Sequence, residues 1–134
     1  KFHMNDINAT IGLYNLPYIP GLLDKMRKNG KYFDEKLKDI KGIKLMKNNP
    51  KCNCAYWLYT IRVLNGKKQE FMNKMKDVGI MTSQVHNRND INSSVKDFEE
   101  ILPNLDILEK ELVCIPVGWW LKKEELDYII KNIS

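Results

Sequence analysis

The segment Gly79-Ile80-Met81-Thr82-Ser83-Gln84-Val85-His86-Asn87-Arg88-Asn89-Asp90 leaves an apolar stretch and sets His, Asn, Arg, Asn and Asp in a row. Such a loop can hold hydroxyls and phosphates, because a guanidinium forks onto phosphate oxygens and Asp or Asn bonds sugar hydroxyls. The same residues also make an ordinary polar loop built on Asx turns, so residue types leave both readings open. Gly118-Trp119-Trp120 is the second concentration of chemistry. Adjacent tryptophans at a turn line a pocket or an interface, or one ring plugs a small core. His86, Arg88, Asp90, Trp119 and Trp120 are therefore the residues to place.

Other chemistry is sparse. Cys52 and Cys54 form C-x-C rather than C-x-x-C, and Cys114 stands apart. A tetrahedral metal centre needs four ligands, so no metal site is expected. Cys114 lies in an apolar run and reads as a small buried hydrophobe. Reduced thiols and a cytoplasmic location are the economical reading of three unpaired cysteines. His3 and His86 are far apart, and nothing local builds a Cys–His nucleophile pair. There is no G-x-G-x-x-G, P-loop, G-x-S-x-G or H-E-x-x-H.

The elements that must position these residues follow from periodicity. Residues 4–16 read as a helix with Ile7, Ile11 and Tyr14 on one face, ended by Pro17. Pro20-Gly21 starts a second helix, whose Leu22, Met26, Phe33, Leu37 and Ile40 keep a three-and-four spacing. Gly30 falls on that stripe, either letting another backbone pack closely there or simply tolerated. Residues 43–46 make a short strand. Residues 54–64, rich in Tyr, Trp, Ile, Val and Thr, make the best strand, expected to be central and covered on both faces. Trp57 and Ile61 are assigned to the core, where truncation to Ala costs roughly 2–5 kcal/mol. Residues 67–78 are helical and Gly79 caps them. Residues 80–85 read as a strand, 95–102 and 104–112 as short helices split by Pro103, 113–117 as an extended piece, and 123–133 as a closing helix. The sum is an α+β domain: a short, mostly antiparallel sheet covered by helices.

At 134 residues this is a single domain, 1–134, long enough for a real core. The chain opens on a helix without an initiating Met, and is expected to be a piece of a longer protein. No apolar run reaches the ~18 residues of a membrane span, and the N-terminus lacks a secretory pattern. The net charge is +5, but the arginines are only Arg27, Arg62 and Arg88, and acids interleave with lysines at Asp34-Glu35-Lys36 and Lys38-Asp39. That is a solvated mixed-charge surface rather than a nucleic-acid face.

Taken in order, several segments resemble one family. Lys1-Phe2-His3-Met4-Asn5-Asp6-Ile7-Asn8-Ala9-Thr10-Ile11-Gly12-Leu13 resembles the helix that opens the C-terminal domain of the DegT/DnrJ/StrS sugar aminotransferases. Arg27 and Phe33 fit the helix that follows. Cys54-Ala55-Tyr56-Trp57-Leu58-Tyr59-Thr60-Ile61 resembles the family's central aromatic strand, and Gly79-Ile80-Met81-Thr82 its Gly-Ile-x-Thr strand before the sugar-facing loop. Ile115-Pro116 and the closing helix resemble its Leu-Pro and Glu-rich helix.

The resemblance implies the small C-terminal domain of an aspartate-aminotransferase-like, fold-type-I enzyme that uses pyridoxal 5'-phosphate. It implies transfer of an amino group, usually from glutamate, to a nucleotide-linked keto-sugar for amino-sugar and polysaccharide biosynthesis, by a homodimer without nucleic-acid or membrane partners. The Schiff-base lysine and the Asp facing the pyridinium nitrogen belong to the large domain, so no catalytic residue is expected in this chain. Lys1 stands where the family places an Asn or Lys that reaches the cofactor phosphate of the neighbouring subunit. His3 stands where many members have Arg. By the same resemblance, His86, Arg88 and Asp90 approach the sugar nucleotide, although the usual loop has a Pro and a later His. Trp119 and Trp120 go beyond the family pattern and flank the same pocket. The rival reading is a stand-alone binding or dimerisation module without catalysis.

Overall fold

The computed structural model describes residues 3–134, so Lys1, the expected contact to the cofactor phosphate, lies outside the described residues. Helix α1 spans Asp6–Asn15, and Asn5 caps it by accepting a hydrogen bond from the Asn8 amide at 2.9 Å. A 3-10 turn at Leu16–Tyr18, carrying Pro17, passes directly into α2, Ile19–Leu37. The apolar stripe of α2 is the one its spacing implies: Gly30, Phe33 and Leu37 are buried, and Phe33 is wholly inaccessible. By contrast α1 buries none of its residues, and Ile7, Ile11 and Tyr14 face solvent.

The sheet has three antiparallel strands in the order β1 (Ile43–Leu45), β2 (Tyr59–Val63) and β3 (Leu112–Ile115). Ile43 pairs with Val63, Ile61 with Val113, and Tyr59 with Ile115. Paired residues share a face, so Tyr59, Ile61, Val63, Val113 and Ile115 form one apolar sheet surface. Against it pack Phe33 and Leu37 of α2, Phe71 and Met75 of α3 (Lys68–Asp77), and Leu126, Ile129 and Ile133 of α5 (Lys123–Ile133). α3 ends in a Schellman motif: Gly79, at φ +76°, donates to the Lys76 carbonyl at 2.9 Å and Ile80 to that of Met75 at 2.8 Å. Helix α4, Pro103–Glu111, leads straight into β3.

Several sequence expectations change. The central strand is indeed central, but it begins at Tyr59 rather than residue 54, and its second face is half-buried and polar. There Arg62 donates to Glu111 Oε2 at 2.6 Å, and Thr60 meets the Cys114 sulfur at 3.4 Å. The strand expected over 80–85 reduces to a single bridge, Ser83 to Cys114, because it meets the outer edge of β3 at one residue only. The helix expected over 95–102 is a 3-10 turn at Ser93–Phe98.

Trp57 is not core. It is 71% exposed, whereas Ile61 is fully buried. The cause is Tyr56, whose φ of +49° breaks the extended backbone just before β2. The Tyr56 ring lies on Gly30, where any Cβ would run into it. Gly30 is thus a close-approach position, with a ring rather than a backbone as the neighbour.

Ile61→Ala is expected to cost ~2–5 kcal/mol in urea unfolding, as a fully buried side chain should. Trp57→Ala should stay within about 0.5 kcal/mol, as exposed substitutions do. Equal losses for the two would refute this placement of the strand.

Candidate functional site

A cleft of about 410 Å³ opens between α2, the segment before β2 and the loop after Gly79; Asp34, Asn48, Tyr56, Tyr59, Thr60 and His86 are among its walls. At its base the Asp34 carboxylate accepts hydrogen bonds from the hydroxyls of Tyr56 at 2.8 Å and Tyr59 at 2.7 Å. Asn48 Nδ2 donates to the Tyr56 oxygen at 3.0 Å. The two phenol rings stack, with centroids 6.0 Å apart and planes inclined by 13°, and Phe33 meets Tyr59 edge-on at 5.1 Å. Burial, reinforced by the hydrogen bond to Asp34, pushes the Tyr56 phenol up to about 12 and raises that of Tyr59 as well. Both phenols are therefore neutral donors committed to Asp34, and they frame the cleft rather than exchange protons in it.

His86 stands at the rim of this cleft beside Trp57, with ring centroids 6.3 Å apart and planes at 56°. Arg88 and Asp90 face each other. Arg88 Nε donates to Asp90 Oδ1 at 2.8 Å while Nη2 pairs with Oδ2, a two-pronged contact. Arg88 Nη1 reaches back to α4, to Asp106 and, at 3.4 Å, to Glu109. The hydrogen bonds to Asp90 and Asp106 raise the Arg88 pKa, and the guanidinium in turn lowers that of Asp90. A second cation secures the same loop. Lys68 Nζ of α3 donates to Gln84 Oε1 and, at 2.7 Å, to the Glu109 carbonyl; desolvation lowers its pKa.

Trp119 and Trp120 sit elsewhere. Their rings meet edge to face at 5.8 Å, and Trp120 lies over Gly118. The Gly118 carbonyl accepts a hydrogen bond from the buried Asn29 of α2 at 3.0 Å, which fixes the turn. Among the described residues no hydrogen bond, ion pair or ring contact joins either tryptophan to residues 86–90. Both rings remain partly exposed, so neither is a core plug. Sequence reasoning missed Asp34, Asn48, Tyr56 and Tyr59 as cleft residues, and Trp57 as a rim residue. A carboxylate at position 34, next to Phe33 in the inward-facing part of α2, was the available signal: a half-buried charge is better placed with donors around it. Asp106 and Glu109, three apart on α4, were the corresponding signal for Arg88.

The model of the DegT/DnrJ/EryC1/StrS aminotransferase family matches residues 1–134. The structure is similar to that of the sugar aminotransferase CalS13 from Micromonospora echinospora, with a TM-score of 0.92 and 34% identity over 99% of this chain and 36% of that one. AtS13 from Actinomadura melliaura gives 0.91 and 34%, over 99% and 35%. PseC from Helicobacter pylori, an aminotransferase of pseudoaminic acid biosynthesis, shares the fold at 18% identity and a TM-score of 0.86, over 98% of this chain and 37% of that one. No curated protein sequence matches the chain. The chain belongs to the DegT/DnrJ/EryC1/StrS aminotransferase family, and its α+β fold is that of fold-type-I sugar aminotransferases. It spans about a third of the length of those solved relatives. No helix among the described residues is long and apolar enough to cross a membrane.

The family is in general dependent on pyridoxal phosphate. Lys68, the lysine whose pKa burial lowers, has its nitrogen bonded to Gln84 and to the Glu109 carbonyl. It is a tie between elements and is not free to form a Schiff base, so no chemical step is routed through it.

The Asp34 cluster makes a prediction in alkali. A phenol whose folded pKa is raised contributes its stability in full below the unfolded value near 10, and loses it as pH rises through the folded value, about 12 for Tyr56. Urea midpoints should therefore hold to about pH 9 and fall between about pH 10 and 12. Replacing both Tyr56 and Tyr59 by Phe should flatten that fall; an unchanged slope would mean these phenols are not the groups responsible.

Proposed function

We propose that residues 1–134 are the C-terminal small domain of a pyridoxal-phosphate-dependent sugar aminotransferase. The substrate is a nucleotide-linked keto-sugar, the amine donor is glutamate, and the product is an amino sugar for polysaccharide assembly. The enzyme works as a cytoplasmic homodimer. The cofactor, held by the large domain, serves as electron sink and carries the amine between donor and acceptor. This chain contributes binding and orientation. Lys1 supplies an ammonium for the cofactor phosphate of the neighbouring subunit. The loop bearing His86, Arg88 and Asp90 meets the sugar nucleotide, whereas Trp119 and Trp120, on a separate turn, take no part in that contact.

The observation that carries this reading is the 34% identity to the sugar aminotransferase CalS13 across 99% of the chain. The shape of the cleft is in keeping with it: a half-open groove, rimmed by aromatic and polar side chains, suits a ring bearing hydroxyls. The full-length protein, supplied with the cofactor, glutamate and a panel of nucleotide-linked keto-sugars, should yield an amino-sugar nucleotide detectable by mass spectrometry. Yield should depend on glutamate, and the protein should sediment as a dimer. Absence of product with every sugar tried would leave the chain as a binding or dimerisation module.

A further inference from the structure

Arg88 sits where the residue types suggest a guanidinium for a substrate phosphate, yet four of its five N–H donors are already taken. Nε and Nη2 grip Asp90, and Nη1 bonds Asp106 and Glu109 on α4. One guanidinium faces three carboxylates, so an approaching phosphate would meet surplus negative charge rather than a free fork. What this pairing does accomplish is mechanical. It fastens the polar loop to α4 on one side of His86, while Lys68 fastens it on the other through Gln84 and the Glu109 carbonyl. Gln84 Nε2 in turn donates to the His86 carbonyl at 3.4 Å. Between the two fastenings His86 stays exposed, at the mouth of the cleft and against Trp57.

We propose that Arg88 is a positioning residue, clasping the 83–92 loop to α4 so that His86, backed by Trp57, is the group presented to the sugar nucleotide. The proposal rests on the aminotransferase reading for the identity of the ligand, but not for the clasp itself.

The test is the isosteric pair Asp106→Asn with Glu109→Gln in the full-length protein, alongside Arg88→Ala and His86→Ala. If Arg88 is a clasp, removing its α4 partners should mimic its own loss: KM for the sugar nucleotide rises several-fold in both variants, and kcat changes less. If Arg88 is instead the phosphate ligand, D106N/E109Q lifts the surplus negative charge around it and KM falls while Arg88→Ala raises it, which would overturn the proposal. Trypsin supplies a readout independent of activity, since a clasped arginine resists entry into the protease. Cleavage after Arg88 should be slow in the unmodified protein and several-fold faster in D106N/E109Q; equal rates would refute the clasp. His86→Ala should raise KM without changing cleavage, and an unchanged KM would remove His86 from the contact. If the unmodified protein makes no amino sugar at all, the aminotransferase reading fails, while the trypsin comparison still decides the clasp.

Discussion

Asp34 is half-buried on α2 between Phe33 and Leu37, both fully buried, where a carboxylate gains from nearby donors. Its two oxygens are met by two phenols, one from Tyr56 and one from Tyr59. That contact decides how the chain enters its central strand. Tyr59 is held in line as the first residue of β2, while Tyr56 is drawn back over Gly30 in a left-handed conformation that a tyrosine does not adopt unaided. With Tyr56 turned inward, Trp57 is thrown outward. The cleft, its aromatic rim and the start of the sheet are three results of one carboxylate's need for donors.

The loop beyond Gly79 is governed by charge rather than by packing. The Schellman turn at the end of α3 aims the chain along the open edge of β3, where a single bridge at Ser83 gives it a foothold. From there Lys68 and Arg88 carry it across α4. Apolar residues further along, such as Phe98 and Ile101, remain exposed, so the hydrophobic effect does not hold this region. The two regions meet at His86 and Trp57, one arriving on the charge-tied loop and the other from the strand entry.

Much of this was legible in the residues. The stripe Phe33-Leu37 and the row Leu126-Ile129-Ile133 gave α2 and α5 through a 3.6-residue period that burial enforces directly. Gly79 marked a left-handed cap and is one. The family was readable from ordered segments, each short, that keep their sequence order along the chain. What local pattern could not supply were backbone choices made by distant partners. Residues 54–58 have the composition of a strand, yet Tyr56 answers to Asp34, 22 residues earlier. Arg88 has the chemistry of an anion ligand, yet it answers to Asp106 and Glu109, 18 and 21 residues later. Trp57 reads as inward only if the strand runs on through 54–58 with both faces covered, and the turn at Tyr56 reverses that.

Helix α1 stands outside all of these constraints. It carries its own cap, and none of its side chains is buried against the sheet or the other helices. The mutational tolerance of its surface is therefore uncoupled from that of the core. Selection can rewrite Ile7, Ile11 or Tyr14 to suit whatever lies against them without retuning Phe33, Ile61 or Val113. The domain is in this sense modular within itself: one segment free to follow a neighbour's drift, attached to a body that cannot.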